Sequence, residues 1–162
     1  MRLPLTVALA VALAPALVAC GPASDATCGP ITREALDPQF LVHVLGDAQV
    51  EYTSDPPTSG PHKPTPEVSG VVAEPIPKPV QVGVLERGDV LLQHRTDLPA
   101  DQLAELEGLA GTGVVVAPAP DLAKPVIATG WLYKRTCSAV DVDALRDFVD
   151  QRQGKGPDTQ GP

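Results

Sequence analysis

The sequence predicts a small α+β domain, with an antiparallel sheet, two helices packed on it, a proline-rich loop and one disulfide. Three observations carry this expectation. Helical and strand-like apolar patterns are mixed along the chain without a steady strand–helix alternation, which argues against a doubly wound sheet. The two clearest helices lie late in the chain, each with its own start and stop signals. Nineteen prolines interrupt the first half most heavily and leave little room there for long regular elements.

The elements follow in order. Within Ile31–Leu45, the apolar residues Leu36, Phe40, Leu41, Val44 and Leu45 suit a short helix or an irregular packing segment, with Pro38 at a turn. Gln49–Thr53 alternates around Val50 and Tyr52 as a strand would. Asp55–Pro79 is the proline-rich stretch. Val80–Leu85 leads through the turn Arg87-Gly88-Asp89 into a strand at Val90–His94. Leu98–Ala110 reads as a helix: Asp97 can cap it, Pro99 suits the first turn, Leu103, Leu106 and Leu109 share a face, and Gly111 ends it. Gly113–Ala117 and Val126–Tyr133 are apolar strands. The last helix is capped by Asp141, stapled by Val140 on Leu145, buried along Val142, Leu145, Phe148 and Val149, and stopped by Gly154. The domain is therefore expected over residues 31–154, with residues 155–162 a disordered tail.

The first 19 residues read as an export signal. Arg2 precedes an apolar run from Leu3 to Ala14, which is broken by Pro4 and Pro15 and too short for a membrane span of about 20 residues. The run ends in Leu17-Val18-Ala19-Cys20-Gly21, which resembles the lipobox of bacterial lipoproteins. The resemblance implies cleavage before Cys20 and a lipid on its thiol, so that residues 20–30 form a tether. The expected address is the extracytoplasmic face of the cell membrane. Asn is absent while Ala, Val, Pro and Asp abound, a bias of GC-rich coding such as actinobacteria show.

If Cys20 carries lipid, Cys28 and Cys137 remain, and an even pair outside the cytoplasm implies a disulfide. It would close a loop of roughly 110 residues, worth about 4–5 kcal/mol in the chain-entropy account. No Cys-x-x-Cys spacing supports redox chemistry. The net charge of −8 opposes binding to nucleic acid or anionic lipid. Aromatics are few, namely Phe40, Tyr52, Trp131, Tyr133 and Phe148, which disfavours a stacking surface for bases or sugars.

The most unusual segment is Pro56-Pro57-Thr58-Ser59-Gly60-Pro61-His62. Prolines stiffen it, Thr58 and Ser59 offer hydroxyls to nearby backbone, and Gly60 permits a positive φ. His62 is thereby held on a rigid turn, either as a metal ligand or general base, or as a ring that locks the loop by its own hydrogen bonds. His94, at a strand end, and His43 are the other imidazoles. His62 and His94, with Glu86 or Asp89, could hold zinc or copper if folding brought them together. Met1 is the only methionine, which excludes a soft thioether copper site in an exported domain. A hydrolase has weak support. There is no Gly-x-Ser-x-Gly elbow, and Ser59 sits too near His62 on a stiff turn.

The heptapeptide, with Tyr52 before it, Val84-Leu85-Glu86-x-Gly88, Asp97-Leu98-Pro99, the run from Val114 to Leu122 and the segment from Trp131 to Gly156, resembles a bacterial family of unknown function, DUF 3105. The likeness spans roughly Arg33 to Gly156. It implies export or membrane attachment. Many members carry Glu-His-Gly where this chain has Glu86-Arg87-Gly88, and Arg offers no lone pair to a metal. The expected function is a non-enzymatic envelope lipoprotein, a monomeric accessory or binding module for an envelope protein or small ligand. The rival expectation is a metal-binding protein using His62 and His94, with Glu86.

Overall fold

A computed structural model describes residues 26–46, 48–64 and 68–160. The signal segment and Cys20 lie outside these residues. The described chain folds as β1 (Thr32–Arg33), β2 (Gly70–Val71), α1 (Lys78–Glu86), β3 (Val90–His94), α2 (Ala100–Glu107), β4 (Val114–Pro118), β5 (Val126–Gly130), β6 (Tyr133–Cys137) and α3 (Val142–Arg152), followed by a 3-10 turn at Pro157–Gln160. Among the described residues no helix is long and apolar enough to cross a membrane.

The α+β class holds, but the sheet is mixed, not antiparallel. Its order is β1-β6-β5-β3-β4-β2. β4 runs parallel to both β3 and β2, while β3–β5, β5–β6 and β6–β1 are antiparallel. The cause is α2. It lies between β3 and β4 in sequence and returns the chain to the end where β3 began, so that β4 must run alongside β3 in the same direction.

The sheet has an apolar core on each face because side chains along a strand alternate. Val90, Leu92, Val114, Val116, Val126 and Ala128 point to one side, where they meet Leu106 of α2 and Leu145 and Phe148 of α3. Leu91, Val115 and Ala117 point to the other, against Ile76 and the α1 residues Val84 and Leu85. This second face is covered by a third helix, α1, which the sequence pattern does not predict. Pro79, Gly83 and three valines lower the helix propensity of α1. Tertiary burial overrides that, with Gln81 through Leu85 all buried.

Other expectations meet the structure as follows. Asp141 caps α3, its Oδ1 accepting from Ala144 N at 3.0 Å. Asp97 does not cap α2; Pro99 holds that position, and Asp97 pairs with Arg95. Gln49–Thr53 forms no strand. Val126–Tyr133 is not one strand but the first arm of a hairpin, turned at Trp131-Leu132 with Leu132 at φ 62°. Residues 155–160 are folded back instead of forming a disordered tail: Thr159 Oγ1 donates to the carbonyls of Gly154 and Gly156, and Gly156 is buried against the backbone of Glu86 and Gly88. A Cβ at Gly156 would overlap the Glu86 carbonyl, so only glycine allows this approach.

The Cys28–Cys137 disulfide is formed, across 109 residues. Around it, Gly29 N donates to Thr136 O at 2.9 Å and Ser138 N to Thr27 O at 2.8 Å, so residues 27–29 line the outer edge of β6.

Candidate metal centre

The heptapeptide is buried at every position from Pro56 to His62, although it contains no helix or extended strand. A buried irregular segment must find partners for its backbone and hydroxyl groups elsewhere, and here they are specific. Ser59 Oγ accepts from Asp37 N at 3.0 Å, Thr58 Oγ1 donates to Glu34 Oε2 at 3.2 Å, and Thr58 O accepts from Leu132 N at 3.1 Å in the β5–β6 turn. The Tyr52 hydroxyl donates to Pro61 O at 2.7 Å. Its ring packs on Gly60, whose φ of +127° a side chain would strain. Burial, with the nearby Asp37 charge, pushes the Tyr52 phenol up to about 12. Ser59 is thus committed to holding the loop, and no nucleophile–base pair with His62 is formed.

This frame fixes His62. Its backbone N donates to Val42 O at 3.0 Å and its carbonyl accepts from Val44 N at 2.7 Å, which brings His43 alongside. Next, Lys63 N donates to Pro79 O at 3.0 Å and ties the loop to α1. The His62 ring is 1% exposed, with Nδ1 3.1 Å from Gly60 O. A carbonyl can only accept, so Nδ1 donates to it and Nε2 is the nitrogen turned to Glu86. Glu86 Oε2, at the C-terminal end of α1, lies 2.7 Å from Nε2. The approach is not aligned for a hydrogen bond, and Nε2 is buried without one. The His43 ring stands edge-on to His62, with centroids 4.8 Å apart and planes at 87°.

One ligand atom from each of His43, His62 and Glu86 therefore falls within 4.8 Å of the others. Zinc holds N and O ligands at about 2.0–2.2 Å, which sets them about 3.3–3.6 Å apart in a tetrahedron. Capture of an ion would open the short His62–Glu86 approach and draw the exposed His43 inward. A pocket of about 260 Å³ opens on His43 and Glu86, but not on the buried His62, and Lys63, Gly83, Arg87 and Asp158 also line it. Burial pushes the Glu86 carboxyl upward; His62 pulls it down, the Asp158 charge raises it, and His43 lowers it.

Of the sequence-stated candidates, the fold brings His62 and Glu86 together and leaves His94 apart. Glu86 stands beside the start of β3 and His94 ends it, about 13 Å along the strand. His94 Nδ1 lies 2.9 Å from the Arg95 carbonyl. In the sequence His43 stands out only as a third imidazole. The pairing of residues 42–44 with His62 is non-local and left no pattern in the chain. Arg87 points its Nη2 to Asp89 Oδ2 at 2.7 Å.

Comparison with known proteins agrees with the resemblance stated above. Residues 43–162 match the profile of a family described as protein of unknown function (DUF3105), a span that includes His43, His62 and Glu86. No curated protein matches, and no solved structure matches.

Proposed function

The chain belongs to the DUF3105 family, and for this member we propose an envelope lipoprotein that acts as a non-enzymatic binding module, its ligand a divalent transition metal held by His43, His62 and Glu86. The observation that carries the metal reading is the state of His62. A ring that is 1% exposed has Nδ1 held by a carbonyl and Nε2 left without a hydrogen bond, beside a carboxylate and a second imidazole. Orientation of one ring nitrogen by a backbone carbonyl is the usual way a metal-binding His is prepared. Two imidazoles and one carboxylate suit zinc or divalent copper and leave a coordination position open to the pocket. The exported location rests on the lipobox at Leu17–Cys20 and is supported by the disulfide, which belongs to oxidising compartments.

The test is metal analysis of untagged protein lacking residues 1–19, beside His43→Ala, His62→Ala, Glu86→Gln and His94→Ala. The wild type should take up one equivalent of zinc or copper and melt higher with it; at a hundredfold excess over Kd the gain is about 2.7 kcal/mol. The first three variants should lose this response and His94→Ala should keep it. Wild-type protein that binds neither ion and melts unchanged overturns the metal reading. Anchoring is tested apart from it: Cys20→Ala should abolish incorporation of radiolabelled palmitate and release the protein from membranes, and continued labelling would refute the lipobox assignment.

A further inference from the structure

The C-terminal segment is folded onto the turn that carries Glu86. After α3, Gly154 N donates to Gly88 O at 2.7 Å, and Gly156 presses on the Glu86 carbonyl and on Gly88 N. The Thr159 methyl occupies the space that a side chain at residue 88 would fill. The Pro157–Gln160 turn is therefore held against the C-terminal end of α1.

Asp158 stands in that turn, two residues beyond Gly156, and two residues span at most about 7 Å of chain. It borders the pocket of about 260 Å³ together with His43 and Glu86. The turn itself is held by Thr159, whose Oγ1 donates to the carbonyls of Gly154 and Gly156. Among the described residues the Asp158 carboxylate makes no hydrogen bond or ion pair, so it is not spent on holding the fold. Its charge nonetheless acts on the site. Beyond the effect of burial, and against the pull of His62, it pushes the Glu86 carboxyl upward.

His43, His62 and Glu86 fill three positions of a tetrahedron and leave the fourth unfilled. The pocket gives an ion its way to His43 and Glu86, and Asp158 is the one further carboxylate or imidazole among the residues lining it. A second carboxylate also settles the charge. Two neutral imidazoles and two carboxylates cancel a divalent ion, and a neutral cluster is less costly to bury than one with net positive charge. Lys63 and Arg87 border the pocket as well and repel an entering ion; Asp158 offsets part of that repulsion. Resting on the metal reading above, we propose that Asp158 is the fourth ligand and that the C-terminal segment thereby closes the centre over the ion. A closed sphere of four protein ligands holds a metal and leaves no position for a substrate or an activated water. The ligand of this module is then the divalent ion itself.

The test is a cobalt(II) titration of the purified full-length protein, because the visible absorption of cobalt separates four-coordinate from higher-coordinate sites, with azide as the probe of an open position. The wild type should take up one equivalent with the intense bands of a tetrahedral site, and azide should leave them unchanged. Asp158→Ala should bind cobalt at least tenfold more weakly, and azide should change its spectrum. A carboxylate that merely orients His43 would also cost about 10–100-fold in affinity when removed, but the variant would keep the wild-type spectrum and its indifference to azide; that result overturns the proposal. So does an azide response in the wild type. Wild-type protein that binds no cobalt removes the metal reading and the fourth ligand with it. Wild type that binds cobalt, beside an Asp158→Ala variant of equal affinity and spectrum, overturns the fourth ligand alone.

Discussion

Glu34→Gln should destabilise the fold far more than a surface substitution does, and the reason lies with its partner. Lys134, in β6, is 7% exposed and its Nζ stands 2.9 Å from Glu34 Oε1. The other carboxylate oxygen accepts from Thr58 in the heptapeptide. Losing the negative charge strands a buried ammonium and loosens the loop at the same stroke. Breaking a fully buried pair costs about 3–5 kcal/mol. Glu34 is partly open to water, which screens the interaction, so about 2–3 kcal/mol is the expected loss. Burial works to raise the Glu34 carboxyl, but hydrogen bonds from Ser54, Lys134 and Thr58, with the Lys134 charge, outweigh it and hold it below the ordinary value of 4.5. With the folded value lowered, this stabilisation is fully present above pH 4.5 and is lost as pH falls through the folded value. Urea denaturation of wild type and variant at neutral pH and at pH values below 4.5 measures both effects. The gap between them should narrow on acidification. A variant within about 0.5 kcal/mol of wild type at neutral pH, or a gap that stays constant with pH, would refute the reasoning. A Glu34→Gln, Lys134→Met double variant should recover part of the loss, since no charge is then left unpaired.

Two further outcomes follow from the same structure. Replacing both Cys28 and Cys137 by Ser should cost up to about 4–5 kcal/mol, as the closed loop is long, and limited proteolysis should then cut near residues 26–30, which the intact bridge holds on β6; equal protease resistance would show that backbone pairing alone secures that segment. Tyr52 should titrate near pH 12 by ultraviolet difference spectra, and because its folded value is raised from 10.0, stability should decline as pH climbs between those values; Tyr52→Phe should remove this contribution and cost about 1 kcal/mol at neutral pH.

How much of this was legible in the sequence depends on how local each signal is. The α3 cap at Asp141 and the α2 face centred on Leu106 are written in neighbouring residues, and both helices stand close to where they were expected. The disulfide was legible by counting cysteines. α1 was not, because Pro79 and Gly83 speak against a helix and only the face it covers explains it. β6 was hidden by its charges: Lys134 and Arg135 look like solvent residues, yet they pair with Glu34 and with Asp147. In the candidate metal centre, the stiff turn marks His62, but its partners come from a bridge 19 residues upstream and a helix end 24 residues downstream. Such convergence is a property of the fold. The sequence points to His94, on a strand, where the fold instead sets His43, in an irregular segment, beside His62.

The outermost strands, β1 and β2, are each two residues long. A sheet grows by offering a free row of backbone donors and acceptors to a newcomer, and here each border strand supplies only a dipeptide of it. Pairing with a stray unfolded chain is thereby discouraged. Two such proteins meeting side by side have little strand to share. At its two borders the sheet is scaffold, with little backbone left open to a partner strand.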